Sequence, residues 1–281
     1  MEKKTKIVIL GILTTILVAG ALWLHFTRIK KNENTNVGTF ENIGLLEESG
    51  KMKDSRSSDW WLNSGGVMTM RDNEANVNLG PLSEGSKWQK TYKKTNSRDT
   101  DDGYYPQNIF RLVTRNSFQN LTQELYFNID RINMSDSSYR DGSNGVLLFN
   151  RYQDGDNLYY TGLRVDGDAV IKKKINGKYY TMAEKKVFPN KDKYDRESNS
   201  NLIPTNSWIG IKSGVTNGSG NSVNIKLYVD KSGDNNWELI LDVSDKGNRY
   251  GKAPFLTDGY AGIRTDFMDV KFRDYKVSEI N

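Results

Sequence analysis

The chain has 281 residues, no cysteine and a single histidine, His25. No disulfide framework or thiolate metal site can exist without cysteine, and beyond His25 there is no imidazole for a nucleophilic triad or a transition-metal site. The formal charge of +5 comes from the amino terminus: residues 1–31 hold Lys3, Lys4, Lys6, Arg28, Lys30 and Lys31 against Glu2, and setting these aside from 40 basic and 35 acidic residues leaves 34 of each, so bulk charge gives no reason to expect a nucleic-acid partner.

Residues 7–26 form an apolar run with His25 as its only titratable side chain, flanked on both sides by basic residues. At helical rise the run spans about 30 Å, the thickness of a hydrocarbon core. A cleaved signal peptide with Ala19-Gly20-Ala21 as its cleavage site is one reading. Leu22-Trp23-Leu24 continues the apolar run past that site, and Trp23 suits an interface, so an uncleaved anchor is preferred. The expected organisation is an anchor over 1–31, a polar tether over 32–38 (NENTNVG), and one β-sandwich over 39–281. The sandwich is expected outside the cytoplasm, held at the cell membrane by a single pass through residues 7–26.

Short strand-like segments then recur between Gly, Asn, Asp and Ser clusters. They fall at 39–45, 67–71, 87–92, 108–114, 123–132, 145–152, 158–165, 169–175, 178–182, 208–212, 223–229, 237–243, 259–264 and 268–277. Val223, Ile225, Leu227 and Val229 alternate with Asn224, Lys226 and Tyr228, the period-two mark of a strand with one buried face. No sustained helical stripe with caps is evident, and helix is expected only as short turns such as 181–186. Many one-faced strands point to an all-β, two-sheet antiparallel sandwich or a barrel.

Along this chain the first candidate site residues are Trp60 and Trp61. Neighbours on a strand face opposite ways, so one is expected in the core and the other at a surface where a sugar could stack. Tyr104 and Tyr105, in DDGYYPQN, have similar promise on a proline-containing loop. The stretch GVLLFNRYQDGDNLYYTGLRVDGD at 145–168 reads as a hairpin with its turn at Asp154-Gly155-Asp156-Asn157. Arg151, Tyr152, Tyr160 and Arg164, interleaved with its apolar positions, are expected to line a polar, aromatic surface. Such a surface suits sugars, which offer hydroxyls to planar donors and C–H faces to rings; the competing reading is a plain solvent face. Asp154, Asp156 and Asn157 are hard-oxygen calcium candidates, as are Asp230, Asp234 and Asn235, although turns favour the same residues without a metal. Lys172-Lys173-Lys174 reads as a solvated strand edge. Arg264 and Asp266, in GIRTDF, read as a local ion pair.

Three stretches carry a family resemblance: NRYQDGDNLYYTGLRVDGDAVIKKKINGKYY, SWIGIKSGVTNGSGNSVNIKLYVDKSGDNNWELILDV and GYAGIRTDFMDVKFRDYKVSEI. Together they resemble the concanavalin A-like, laminin G-like jelly-roll sandwiches that include family-16 glycoside-hydrolase-like domains. The resemblance implies a jelly-roll sandwich with one sheet that often receives polysaccharide. It covers 39–280, most closely from residue 145 onward. The Glu-x-Asp-x-x-Glu run of that fold's retaining glucanases is missing, since Glu124 and Asp130 stand six apart with no acid between. The Gln-x-His strand of related alginate lyases is missing too. The leading expectation is therefore a membrane-anchored sandwich that binds glycan or mediates adhesion without catalysis. One alternative is a hydrolase or lyase using an isolated acid (Glu124, Asp130, Asp166, Glu238) or Tyr159, Tyr160 and Arg151. The other is a structural envelope protein.

Overall fold

Val223, Ile225, Leu227 and Val229 are all fully buried, while Asn224, Lys226 and Tyr228 between them are not. The same alternation builds most of the chain into strands. A computed structural model describes residues 39–280 apart from residue 41 and residues 190–192. The expected anchor, membrane segment and tether lie outside the described residues. Among those described, no helix is long and apolar enough to cross a membrane.

In chain order the strands are β1 (Gly44–Glu47), β2 (Trp60–Ser64), β3 (Val67–Arg71), β4 (Glu74–Val77), β5 (Ile109–Phe118), β6 (Leu121–Ile132), β7 (Gly145–Asp154), β8 (Asn157–Arg164), β9 (Asp168–Ile175), β10 (Lys178–Lys186), β11 (Ile209–Gly218), β12 (Ser222–Asp230), β13 (Glu238–Lys246), β14 (Gly259–Asp266) and β15 (Met268–Glu279). They form two antiparallel sheets, ordered β1-β3-β4-β15-β6-β11-β12-β13 and β10-β9-β8-β7-β14-β5-β2. The all-β sandwich expected from alternation is thus the observed architecture.

Trp60, Phe110, Phe127, Tyr159 and Phe272 fill the space between the sheets, all fully buried. A polar chain threads this core. Asn150 on β7 accepts hydrogen bonds from Gln123 Nε2 (2.8 Å) and Ser213 Oγ (2.9 Å), on β6 and β11, and donates to Thr161 Oγ1 at 3.1 Å. Each buried polar atom in this chain is matched, and the pattern ties facing strands in one register.

Sequence expectation and structure part in a few places. Residues 87–92 are not a strand but the start of helix α1 (Lys87–Thr95). Its start has the Ser86-x-x-Gln89 spacing of a capping box without its bonds: Ser86 makes no side-chain cap, and Gln89 Oε1 accepts the Gly85 N–H at 3.1 Å. The rings of Trp88 and Tyr92, four apart, meet at helical spacing. Residues 181–186, expected as a turn of helix, lie within β10. Strands β2 and β4 were not among the expected segments. Lys172-Lys173-Lys174 is not an edge, because β9 is hydrogen-bonded on both sides, by β8 and β10. The edge is β10, where Lys178, Lys185 and Lys186 are exposed and discourage further pairing.

Candidate functional site

The seven-stranded sheet carries a second apolar layer on the face turned away from its partner sheet. Val113, Leu147, Phe149, Tyr152, Leu158, Tyr160 and Val170 are buried there by one another and by Met52, Trp61 and Tyr260. Beside this layer runs a groove of about 540 Å³. Leu147, Tyr160, Lys172, Arg111 and Arg264 come from five adjacent strands of the sheet, and Tyr179 comes from β10 at its edge. The opposite wall is the loop ahead of β7, with Tyr139, Asp141, Ser143 and Asn144, joined by Asn96 and Asp99 after α1.

Glycine shapes the floor. Gly162 on β8 stands opposite Leu147, and a Cβ there would meet the Val146 carbonyl oxygen at 2.2 Å. The loop wall is held from behind by Arg140, which is buried. Its Nε donates to Ser135 O (2.6 Å), its Nη1 to Arg196 O (2.6 Å) and its Nη2 to both Glu197 carboxylate oxygens (3.0 and 3.1 Å). Tyr139 at the tip is left 67% exposed, a free aromatic face on a braced loop.

Arg264 organises the floor. Its Nε donates to Asp266 Oδ1 at 2.9 Å, which is the local ion pair expected from GIRTDF. Its Nη1 donates to the Tyr179 hydroxyl at 3.2 Å, and its guanidinium lies over the Tyr160 ring at 5.5 Å. Burial works against the Arg264 charge, but Asp266 and the two tyrosines outweigh it and hold its pKa well above the ordinary value. Burial pushes the Tyr160 hydroxyl up. For Tyr179 burial acts in the same sense, yet Arg264 and Lys174 overcome it and bring the phenol below its usual value. Burial lowers the Lys172 ammonium, and the neighbouring charges of Arg164 and Arg264 lower it further. Asp266 is almost wholly buried, and its Oδ2 has no hydrogen-bond partner among the described residues.

Of the eight residues singled out from the sequence, only Tyr160 lines the groove. Arg151 is a correction. It adopts φ +49° where β7 bulges against both β8 and β14, so strict alternation fails and its side chain turns inward. It is fully buried, donating to Asn217 Oδ1 at 2.7 Å, Asn120 Oδ1 at 3.4 Å and the Phe255 carbonyl. Tyr152 is buried against Phe149, with ring centroids 5.3 Å apart. Arg164 is tied to Asp166 and, at 3.4 Å, to Glu184. Trp60 is the core member of its pair, packed on Phe40 and Tyr275. Trp61 is half-buried and donates to Ser49 O at 2.8 Å. Tyr104 and Tyr105 are half-buried on their loop, away from the groove, with Arg131 over the Tyr105 ring.

The calcium candidates are engaged as turn residues. Asp154 accepts from the Asp156 N–H (2.7 Å) and from Asn157 Nδ2 (2.9 Å), while Asp156 pairs with Lys174 at 3.0 Å. Asp230 accepts from the N–H groups of Ser232, Gly233 and Asn235. The isolated acids are ion-paired: Glu124 with Lys212 (2.6 Å), Asp130 with Lys271 (3.0 Å), Asp166 with Arg164, and Glu238 with Lys231 (3.0 Å). Tyr159 is fully buried and donates to Asp245 at 2.6 Å, so it offers nothing to a substrate. Arg111, Lys172, Tyr179 and Tyr139 escaped the sequence reading. The Lys172 position follows once the turn at Gly167 sets Tyr160 opposite it, but Arg111 and Tyr139 reach the groove only through tertiary contacts.

Neither a protein-family model nor a curated protein sequence matches the chain. Among solved structures it is similar to the carbohydrate-binding module CBM66 from Bacillus subtilis, at 15% identity and a TM-score of 0.47, covering 78% of this chain and 94% of that one. It is also similar to a Bacillus subtilis protein of unknown function with a galectin-like fold, at 14% identity and a TM-score of 0.45, covering 86% of this chain and 97% of that one. A third similar structure is the exoplasmic/lumenal domain of VIP36 in its Ca2+/Man-bound form, at 9% identity and a TM-score of 0.43, covering 84% and 89%.

Proposed function

We propose that this chain is a glycan-binding sandwich and that the groove on the outer face of its seven-stranded sheet is the binding site. The observation that carries this reading is the combination in one cleft of an exposed ring, Tyr139, with hydrogen-bonding groups that want partners. Arg111 and Lys172 line the cleft and make no hydrogen bond or ion pair among the described residues. A pyranose supplies both halves: C–H faces for the ring and hydroxyls for the polar atoms. The fold the sequence resembles, a concanavalin A-like sandwich, agrees with that use of a sheet face. On this reading residues 7–26 hold the sandwich at a membrane, outside the cytoplasm, and residues 32–38 give it reach.

The test is retention of the full-length protein on immobilised polysaccharides. Tyr139→Ala is expected to weaken binding roughly tenfold, with no change in the unfolding midpoint. Equal binding by wild type and variant would remove the groove from the account. Action on the polysaccharide, the alternative, draws on the Tyr179 phenol, which accepts from Arg264 Nη1 at 3.2 Å at the groove edge. New reducing ends, or absorbance from an unsaturated uronate, would decide for it.

A further inference from the structure

Given the groove as a glycan site, its two unpartnered cations bear on the charge of the glycan. Strands β5, β14, β7, β8 and β9 are consecutive neighbours. Across them Arg111 stands opposite Arg264, Arg264 opposite Leu147, Leu147 opposite Gly162, and Tyr160 opposite Lys172. Arg111 and Lys172 are therefore four strand spacings apart and offset by two residues along the strands, about 20 Å at the backbone. Between them lie the Tyr160 ring and the side-chain-free Gly162.

Among the described residues neither Arg111 nor Lys172 has an acceptor within hydrogen-bonding range. Their neighbours differ: Arg264 has Asp266, Arg164 has Asp166, Lys174 has Asp156 and Lys173 has Asp245. Lys178 and Lys185, on the exposed edge strand β10, also make no ion pair among the described residues, but Arg111 and Lys172 are the unpaired cations that line the groove. Asp99 and Asp141 sit on the loop wall and keep their charge while accepting from Ser137 Oγ and Ser143 Oγ at 2.6 Å each, so the anionic side of the groove is the loop and the cationic side is the sheet. Lys172 is moreover disfavoured as a cation by burial first and then by Arg164 and Arg264, an effect that Tyr179 and Asp141 offset only in part and that an incoming anion would relieve.

We infer that the groove takes an acidic polysaccharide, laid across the strands, with anionic groups on separate sugars paired by Arg111 and Lys172. Carboxylate and sulfate share the anionic oxygens these residues need. The two cations stand on strands four spacings apart, an arrangement that suits a chain bearing charge at intervals.

The experiment compares full-length protein binding to polygalacturonate, dextran sulfate and uncharged dextran at physiological salt. Arg111→Gln, Lys172→Gln, Lys172→Arg and, on the other sheet, Lys226→Gln are the variants. Wild type is expected to prefer the acidic chains to dextran. Arg111→Gln and Lys172→Gln should each lose about tenfold in affinity, while Lys172→Arg and Lys226→Gln match wild type. The preferred acidic chain tells carboxylate from sulfate. If dextran binds as well as polygalacturonate and both glutamine variants are unaffected, the ligand is neutral and the charge inference falls while the glycan reading stands. Equal loss from Lys226→Gln would mean diffuse polyelectrolyte attraction and would also overturn it. Failure of every polysaccharide to bind would instead sink the glycan reading beneath it.

Discussion

Lys173 Nζ lies 2.9 Å from Asp245 Oδ2, and both side chains are fully buried. The pair joins β9 of one sheet to β13 of the other. Lys173 also donates to the carbonyls of Lys252 (2.7 Å) and Ala253 (2.9 Å), and Asp245 accepts from Tyr159. A lysine that reads as surface in KKK is thus an internal strut. Removing one partner strands the other charge in a dry interior. Lys173→Ala or Asp245→Ala should cost about 3–5 kcal/mol, read from denaturant unfolding. The double variant should fall well short of the sum of the two single ones. Additive losses would show that the pair is not coupled.

Arg151 makes a parallel case at the bulge of β7. Its hydrogen bonds to Asn217, Asn120 and Phe255 fasten the segment that follows β13 to the sheets. Arg151→Ala should destabilise the fold by about 1–3 kcal/mol and leave glycan affinity unchanged wherever the protein remains folded. Lost affinity at unaltered stability would return Arg151 to the binding surface.

Asp230 ties pH to stability. Burial alone would raise its pKa, but the N–H groups of Asn235, Ser232 and Gly233 and the Tyr126 hydroxyl together hold it below the ordinary aspartate range. Tyr126 is pushed up to about 12 in return, by burial first and then by Asp230. A depressed folded value means the contribution is present above the unfolded pKa and is lost as pH falls through the folded one. Asp230→Asn should therefore be less stable than wild type at neutral pH, by about 1–3 kcal/mol. The gap should begin to narrow as pH falls through about 4, the unfolded value, and close only below the depressed folded one. A gap constant from neutral to acid pH in unfolding titrations would refute this account.

Alternation made the sandwich legible, because apolar faces such as Leu125, Phe127 and Ile129 reveal themselves by period alone. It failed at Arg151, where one residue of positive φ reverses the count, and nothing local to NRYQ marks the bulge. It failed again at Lys173, whose burial is repaid by an acid some seventy residues away in sequence. Helix α1 was missed because residues 87–92 read as one more strand-like segment, though Trp88 and Tyr92 stand at helical spacing. The groove was half visible. Tyr160 follows from strand period, while Tyr139 and Arg111 depend on how a loop and a distant strand fold over the same sheet.

Tyr160 and Lys172, on the groove floor, each sit next in sequence to a residue locked inside, Tyr159 and Lys173 respectively. Each outward side chain thus stands on a backbone that its neighbour clamps from the far side. A guest settling there meets a surface already in its bound shape, and little freedom remains to be surrendered on docking. Evolution, for its part, could recast the outward member of either doublet to suit a new guest, while the inward member keeps the architecture standing.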